Sequence, residues 1–168
     1  MKSILISFVV VVMALALAIP AGGAGKSAGK YSCVQVNRFD VEQGVDFPAD
    51  YQLGMVEDMV KQVGKVKGVQ QVLREGEKAP EGQAVLLITG TVTKFKKGSQ
   101  AARYIVGFGA GSTVVTAQIK VYDAATKELL LDRKVDGKVV MGVMGGKSEG
   151  ATNGLAKEVA KVTKEKFF

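Results

Sequence analysis

Two β-patterned runs dominate the middle of the chain. Residues 85–88 (Val-Leu-Leu-Ile) are apolar on both faces, and from Thr89 onward the run becomes half polar. The second run, 114–122, alternates cleanly, with Val115, Ala117, Ile119 and Val121 on one side and Thr116, Gln118, Lys120 and Tyr122 on the other. A period of two marks a strand with one buried face, while a run apolar on both faces marks a strand covered on both sides or flanked by a helix on one. Residues 31–39 and 69–74 read as shorter strands. The turn chemistry of Asp123-Ala-Ala-Thr-Lys127 leads into a returning antiparallel strand at 128–135, which 139–144 extends past Gly137.

Helical spacing appears twice. Leu53, Val56, Val60 and Val63 recur on one side with Met59 beside them, while Glu57, Asp58, Lys61 and Gln62 fill the other. Asp50, after Pro48, is placed to cap this helix, and Gly64 and Gly68 end it. The second helix follows Thr152 or Asn153 as its cap and carries Leu155, Val159 and Val162 with Ala156 and Ala160. Gly142, Gly145, Gly146, Gly150 and Gly154 read as a loose connector before it, and Phe167 and Phe168 as residues tucked under the sheet. The pattern predicts an α+β fold, a mostly antiparallel sheet of about five strands with two helices packed on one face, in the order β-α-β-β-β-β-α.

The N-terminus is organised differently. Lys2, an apolar run over 4–19 broken by Ser7, and then Pro20, Ala21, Gly22, Gly23 and Ala24 are the parts of a secretory signal peptide, taken as 1–24 with cleavage after Ala21 or Ala24. An uncut membrane anchor is the rival reading, since the run falls just short of the ~20 residues that span a bilayer. Residues 25–30 form a glycine-rich lead-in, and 31–168 a single domain. A lipid anchor needs a cysteine directly after the apolar core, and the single cysteine, Cys33, lies too far on. That leaves no transmembrane anchor after cleavage and a periplasmic or secreted product. Cys33 cannot form an internal bridge, and its setting is that of a small buried strand residue.

A formal charge of +7 in a cytosolic protein suggests nucleic acid. In an exported one it points instead to an envelope protein or an anionic surface polymer. With no histidine in the chain, Ser-His-Asp and Cys-His nucleophile systems and the commonest metal ligand are excluded. Gly25-Lys-Ser27 and Gly146-Lys-Ser148 imitate phosphate loops, but Pro20 and Met141 stand where the motif's first glycine belongs. Residues 107–111 lack the last glycine of a dinucleotide loop and lead into a strand, so no cofactor is expected. The neighbouring carboxylates Glu57-Asp58 and Glu75-Glu77 fall on a polar helix side and in a polar loop, and no enzyme activity is expected.

The connection between the two long runs holds the candidate contact residues: Arg103, Tyr104, Gly107, Phe108, Gly109 and Gly111. Glycines at alternate positions leave one face of an extended chain bare, so a backbone, a ring or an arginine can approach. One reading is a bulged or sharply twisted strand entry. Another is a docking surface in which Arg103, Tyr104 and Phe108 meet a partner. A third makes 101–121 and 135–144 membrane hairpins of an oligomeric pore, against which stand Lys120, Lys134 and Lys138 unless they face a lumen.

Residues 90–111 (Gly-Thr-Val-Thr-Lys-Phe-Lys-Lys-Gly-Ser-Gln-Ala-Ala-Arg-Tyr-Ile-Val-Gly-Phe-Gly-Ala-Gly), followed by Val121-Tyr-Asp-Ala124, resemble the family of Domain of Unknown Function 4410. Its members are small exported bacterial envelope proteins, many of them lipoproteins. The resemblance implies an envelope location and a fold but no mechanism, and the missing lipidation cysteine sets this chain apart from the tethered members. The element order is also similar to that of curli-secretion and peptidoglycan-synthase-activating lipoproteins, which assemble with other envelope proteins. These likenesses imply a binding or assembly module or, alternatively, a homo-oligomeric subunit or accessory factor of an envelope secretion pore.

Overall fold

The computed structural model describes residues 29–98, 112–139 and 150–168. Its elements are β1 (Cys33–Val36), β2 (Asp40–Val41), α1 (Ala49–Val63), β3 (Gln71–Arg74), β4 (Val85–Lys96), β5 (Thr113–Asp123), β6 (Leu129–Val139) and α2 (Gly150–Phe167). One sheet runs β3-β1-β4-β5-β6, with β2 pairing to β4. The α+β class, the two helices and their order are those the sequence predicts. The sheet is mixed, however: β1 is parallel to both β3 and β4, β2 is parallel to β4, and the β4–β5–β6 part is antiparallel. The parallel half follows from connectivity, because α1 is the crossover that joins parallel strands, and no hairpin can do that.

β2 is the strand that periodicity misses, since two residues carry no period. It exists because the chain stays alongside β4 after β1, the Asn37 N–H donating to the Ile88 carbonyl at 2.9 Å and the Glu42 N–H to the Val92 carbonyl at 3.0 Å. Phe39 is then laid across β4 at Gly90, where a Cβ would stand 2.7 Å from the Phe39 ring.

The helix-covered face holds the main core. Val34, Val36, Leu86, Ile88, Ala117, Ile119 and Val121 meet Met55, Met59 and Val63 from α1 and Leu155, Ala156 and Val159 from α2. The opposite face carries only a small cluster of Cys33, Leu73 and Val85, with Ala124 against it. That cluster accounts for the doubly apolar start of β4: Leu86 and Ile88 point to the helices and Val85 to the other side. Cys33 is fully buried there.

Three local expectations are corrected. In α1 the buried stripe is Met55, Met59, Gln62 and Val63, whereas Leu53 is 59% exposed and Val56 and Val60 are half-buried. Branched residues suggested the stripe, but the long, unbranched methionines fill the space over the sheet. The cap of α1 is Pro48 in an extended conformation with no side-chain hydrogen bond, and Asp50 lies in the first turn, where a carboxylate complements the helix dipole. Finally, Gly150 and Gly154 belong to α2, not to a connector, and Thr152 and Asn153 turn towards α1. Gly142, Gly145 and Gly146, and the strand extension beyond Val139, lie outside the described residues, as does the signal segment 1–24.

Gly154 has a partner in this role. A Cβ on Gly137 of β6 would lie 2.6 Å from the Leu155 Cα, and one on Gly154 would lie 2.7 Å from the Lys138 carbonyl oxygen. The first turn of α2 therefore rests backbone on backbone against β6, a contact only two glycines allow.

Candidate interaction surface

Because both helices lie on one face, the fold leaves an open sheet face and the sheet edges for anything else. On the open face, register sets four rows across β4, β5 and β6: Lys96–Val114–Lys138, Lys94–Thr116–Asp136, Thr91–Gln118–Lys134 and Thr89–Lys120–Asp132. Neighbouring strands are about 4.8 Å apart, so each row is a ladder of adjacent side chains. The Thr116 hydroxyl donates to Asp136 at 2.6 Å, and the Gln118 amide donates to Asp132. The two acids of the grid are thus occupied by neutral donors. Among the described residues its lysines form no ion pair.

β6 is an edge strand, paired only to β5 among the described residues. Between it and α2 lies an open groove of about 750 Å³ whose charged lining is Arg133, Lys134, Asp136, Lys138, Lys157 and Glu158. All six are exposed. The groove exists because Gly137 and Gly154 hold the start of α2 on the strand while the helix carries Lys157 and Glu158 along its outer side.

The far side of the sheet carries an acidic stretch. β2 pairs with β4 on the side away from β5, and the exposed acids Asp40, Glu42, Asp46 and Asp50 follow one another there without a base. On the β3 edge, Arg74 reaches Glu57 of α1 through two nitrogens at 2.8 and 2.9 Å, and the Arg74 N–H donates to Glu77 at 2.8 Å. The Arg74 hydrogen bonds hold the Glu57 carboxyl below its ordinary range.

Between the two sides sits one carboxylate with every approach filled. Asp123, at the end of β5, accepts from Lys30 Nζ and the Tyr31 hydroxyl at 2.8 Å each, and from the Ala125 and Thr126 N–H groups at 3.0 and 3.2 Å. The Lys30 hydrogen bond, then that of Tyr31, holds Asp123 well below the usual carboxylate range, and Asp123 in turn raises Lys30. Burial raises the Tyr31 hydroxyl and the Cys33 thiol, which disfavours the thiolate that reactive cysteines need. This cluster fastens the start of the domain to the β5–β6 turn. Among the described residues, no group of three histidines, cysteines, aspartates or glutamates lies close enough to hold a metal ion, and no helix is long and apolar enough to cross a membrane.

Arg103, Tyr104, Gly107, Phe108, Gly109 and Gly111 lie outside the described residues. The ends of their connection are placed: the Gly98 N–H donates to Thr113 Oγ1 at 3.0 Å, so the chain leaves β4 and enters β5 at one end of the hairpin. Phe47, Tyr51 and Phe95 stack near that end with centroids 5.2–5.9 Å apart. Sequence reasoning passed over the β6–α2 groove and the acidic stretch facing away from it. The signal was present in the absence of any lysine or arginine between Arg38 and Lys61.

The family model described as a domain of unknown function (DUF4410) matches residues 54–142, more than half of the chain. No curated protein matches the sequence. Among solved structures, the dodecamer of a PelC point variant from Paraburkholderia phytofirmans is similar, with a TM-score of 0.56 at 15% identity, covering 84% of this chain and 91% of that one. A PelC dodecamer from the same organism in another crystal form gives 0.56 at 13%, covering 83% and 92%. Protein XCC0632 from Xanthomonas campestris gives 0.53 at 9%, covering 87% and 86%. At these identities the likeness is one of fold.

Proposed function

We infer that this chain, which belongs to the DUF4410 family, is a non-catalytic assembly module of the bacterial cell envelope, exported to the periplasm or beyond by its N-terminal segment. The observation that carries the reading is the β6 edge with its cationic groove. It is a long strand with one side unpaired among the described residues, next to four exposed cations and an open polar face. An exposed edge invites another chain to pair with it. A binding role rather than catalysis is supported by a chain without histidine and by Asp123, whose acceptor sites are spent on holding the fold.

A homo-oligomer is favoured by the solved PelC structures of the same fold, which are dodecamers. The pore-subunit alternative differs in needing a membrane. Crosslinking in the producing cell followed by pull-down tests the reading: envelope proteins or further copies of this chain should be captured. A protein that stays in the cytosol with Met1 and Lys2 intact overturns it. Light scattering in buffer and in detergent separates the alternatives, since only a pore subunit gives a large ring that depends on detergent.

A further inference from the structure

We propose that copies of this chain associate head to tail, the basic β6–α2 groove of one copy receiving the acidic β2–α1 segment of the next. This rests on the assembly reading above and names the surfaces that would carry it.

The two surfaces are on opposite sides of the sheet. β2 lies on one flank of β4, while β5 and then β6 lie on the other, so the acids cannot reach the groove of their own copy without crossing the sheet. Asp40, Glu42, Asp46 and Asp50 are exposed and, among the described residues, engaged in no ion pair. Arg133, Lys134, Lys138 and Lys157 are in the same condition. The groove's four cations outnumber its own acids, Asp136 and Glu158, and the segment's four acids have no base among them, so the two surfaces are complementary in sign.

The stretches outside the described residues do not supply a competing occupant, and in the other exposed acidic loop Lys78 interrupts Glu75, Glu77 and Glu81. The stretches outside the described residues carry Lys2, Lys26, Arg103 and Lys147, with Glu149 as their single acid, and none of them offers a run of carboxylates. The acidic stretch is also the right kind of chain: it begins as strand β2 and continues through an exposed segment to the start of α1, so it presents backbone as well as charge to an edge strand. The overall charge of +7 repels copies at long range, but salt screens that repulsion beyond about 8 Å while groups in contact keep their attraction.

A contact between two different surfaces of the same chain is not used up by forming a dimer. Each added copy again presents a free groove and a free acidic segment, so the association continues, into a ring where the rotation between copies closes and into an open filament where it does not.

The test is sedimentation velocity on the full chain as the producing cell processes it, over a range of concentrations and at low and high salt. Self-association is expected at physiological salt, and it should weaken near 1 M sodium chloride, where screening over about 3 Å reaches exposed pairs in contact as well. The groove variant Lys134→Glu with Lys138→Glu, and the segment variant Glu42→Lys with Asp46→Lys, should each weaken association about tenfold or more. Mixing the two variants should restore association in alternating order, because each keeps one native surface and the two altered surfaces match each other. All four side chains are exposed, so thermal unfolding should stay unchanged and certify the fold. Association unaffected by either variant overturns the interface, leaving self-assembly itself standing. A wild-type chain that remains monomeric overturns the interface too, while capture of other envelope proteins by crosslinking would still uphold the broader reading.

Discussion

The two sides of the sheet are covered by helices in different ways. On the β3–β1 side, parallel strands of four residues each lie under α1, which fills the gap with Met55 and Met59, both fully buried. On the β5–β6 side, antiparallel strands of eleven residues each lie under α2, which closes the gap by bringing its backbone at Gly154 and Leu155 to Gly137 and Lys138, with the small side chains of Ala151, Ala156 and Ala160 among its buried residues. Where side chains are long the helix stands off and the interface can adjust, because methionine has many rotamers. Where glycine and alanine meet, the spacing is fixed by backbone atoms that cannot move aside.

That contrast can be broken most severely at Gly137. Gly137→Val should cost about 3 kcal/mol or more in denaturant unfolding, at or above the upper end of overpacking, because the clash is with the Leu155 backbone and not with a side chain that could turn. Met59→Ala on the other side creates a cavity and should cost about 3 kcal/mol, while Met59→Leu, which keeps the volume, should cost less than about 1.5 kcal/mol. A Gly137→Ala variant as mild as Met59→Leu would erase the distinction between the two interfaces.

The junction of the two sides gives the next effect. Asp123 has a depressed folded-state pKa, so its contribution is fully present above the unfolded carboxyl value near 3.8 and is lost as pH falls from there through the folded value. The unfolding midpoint should therefore drop in acid, and Asp123→Asn should flatten that drop as well as lower the midpoint at neutral pH. The smallest effect is expected at Arg74, whose pair with Glu57 is exposed on both partners, at 45% and 62%. Arg74→Ala should leave the unfolding midpoint nearly unchanged, and added salt should remove what difference remains.

Much of the architecture was legible because the elements that matter are long. β5 shows a clean period of two, and Leu155, Val159 and Val162 mark the buried side of α2 at helical spacing. What escaped has a common physical cause: it depends on partners distant in sequence. The parallel sense of β1 is decided by where α1 carries the chain. The two residues of β2 are decided by Phe39 crossing Gly90, and the helical state of Gly154 by the strand it presses upon. The proposed contact surfaces are a product of topology as well, since only the strand order places the acids of 40–50 and the bases of β6 on opposite flanks. The predicted contact residues Arg103 to Gly111 were chosen for local composition, and the structure describes only the hairpin end to which they attach.

The strand nearest the start of the domain is also an interior strand of the finished sheet. β1 lies between β3 and β4, and the residues just before it bind Asp123, more than ninety positions away in the chain. Its strand partners, at 71–74 and 85–88, thus do not exist until about half of the polypeptide has emerged, the Asp123 anchor comes later still, and parallel pairing of such separation is slow to form. A chain that leaves a ribosome or crosses a translocation channel N-terminus first keeps its leading strand unpaired until its own middle has followed, and the anchor at Asp123 open for longer. The topology itself therefore delays the folding of the strand that is made first.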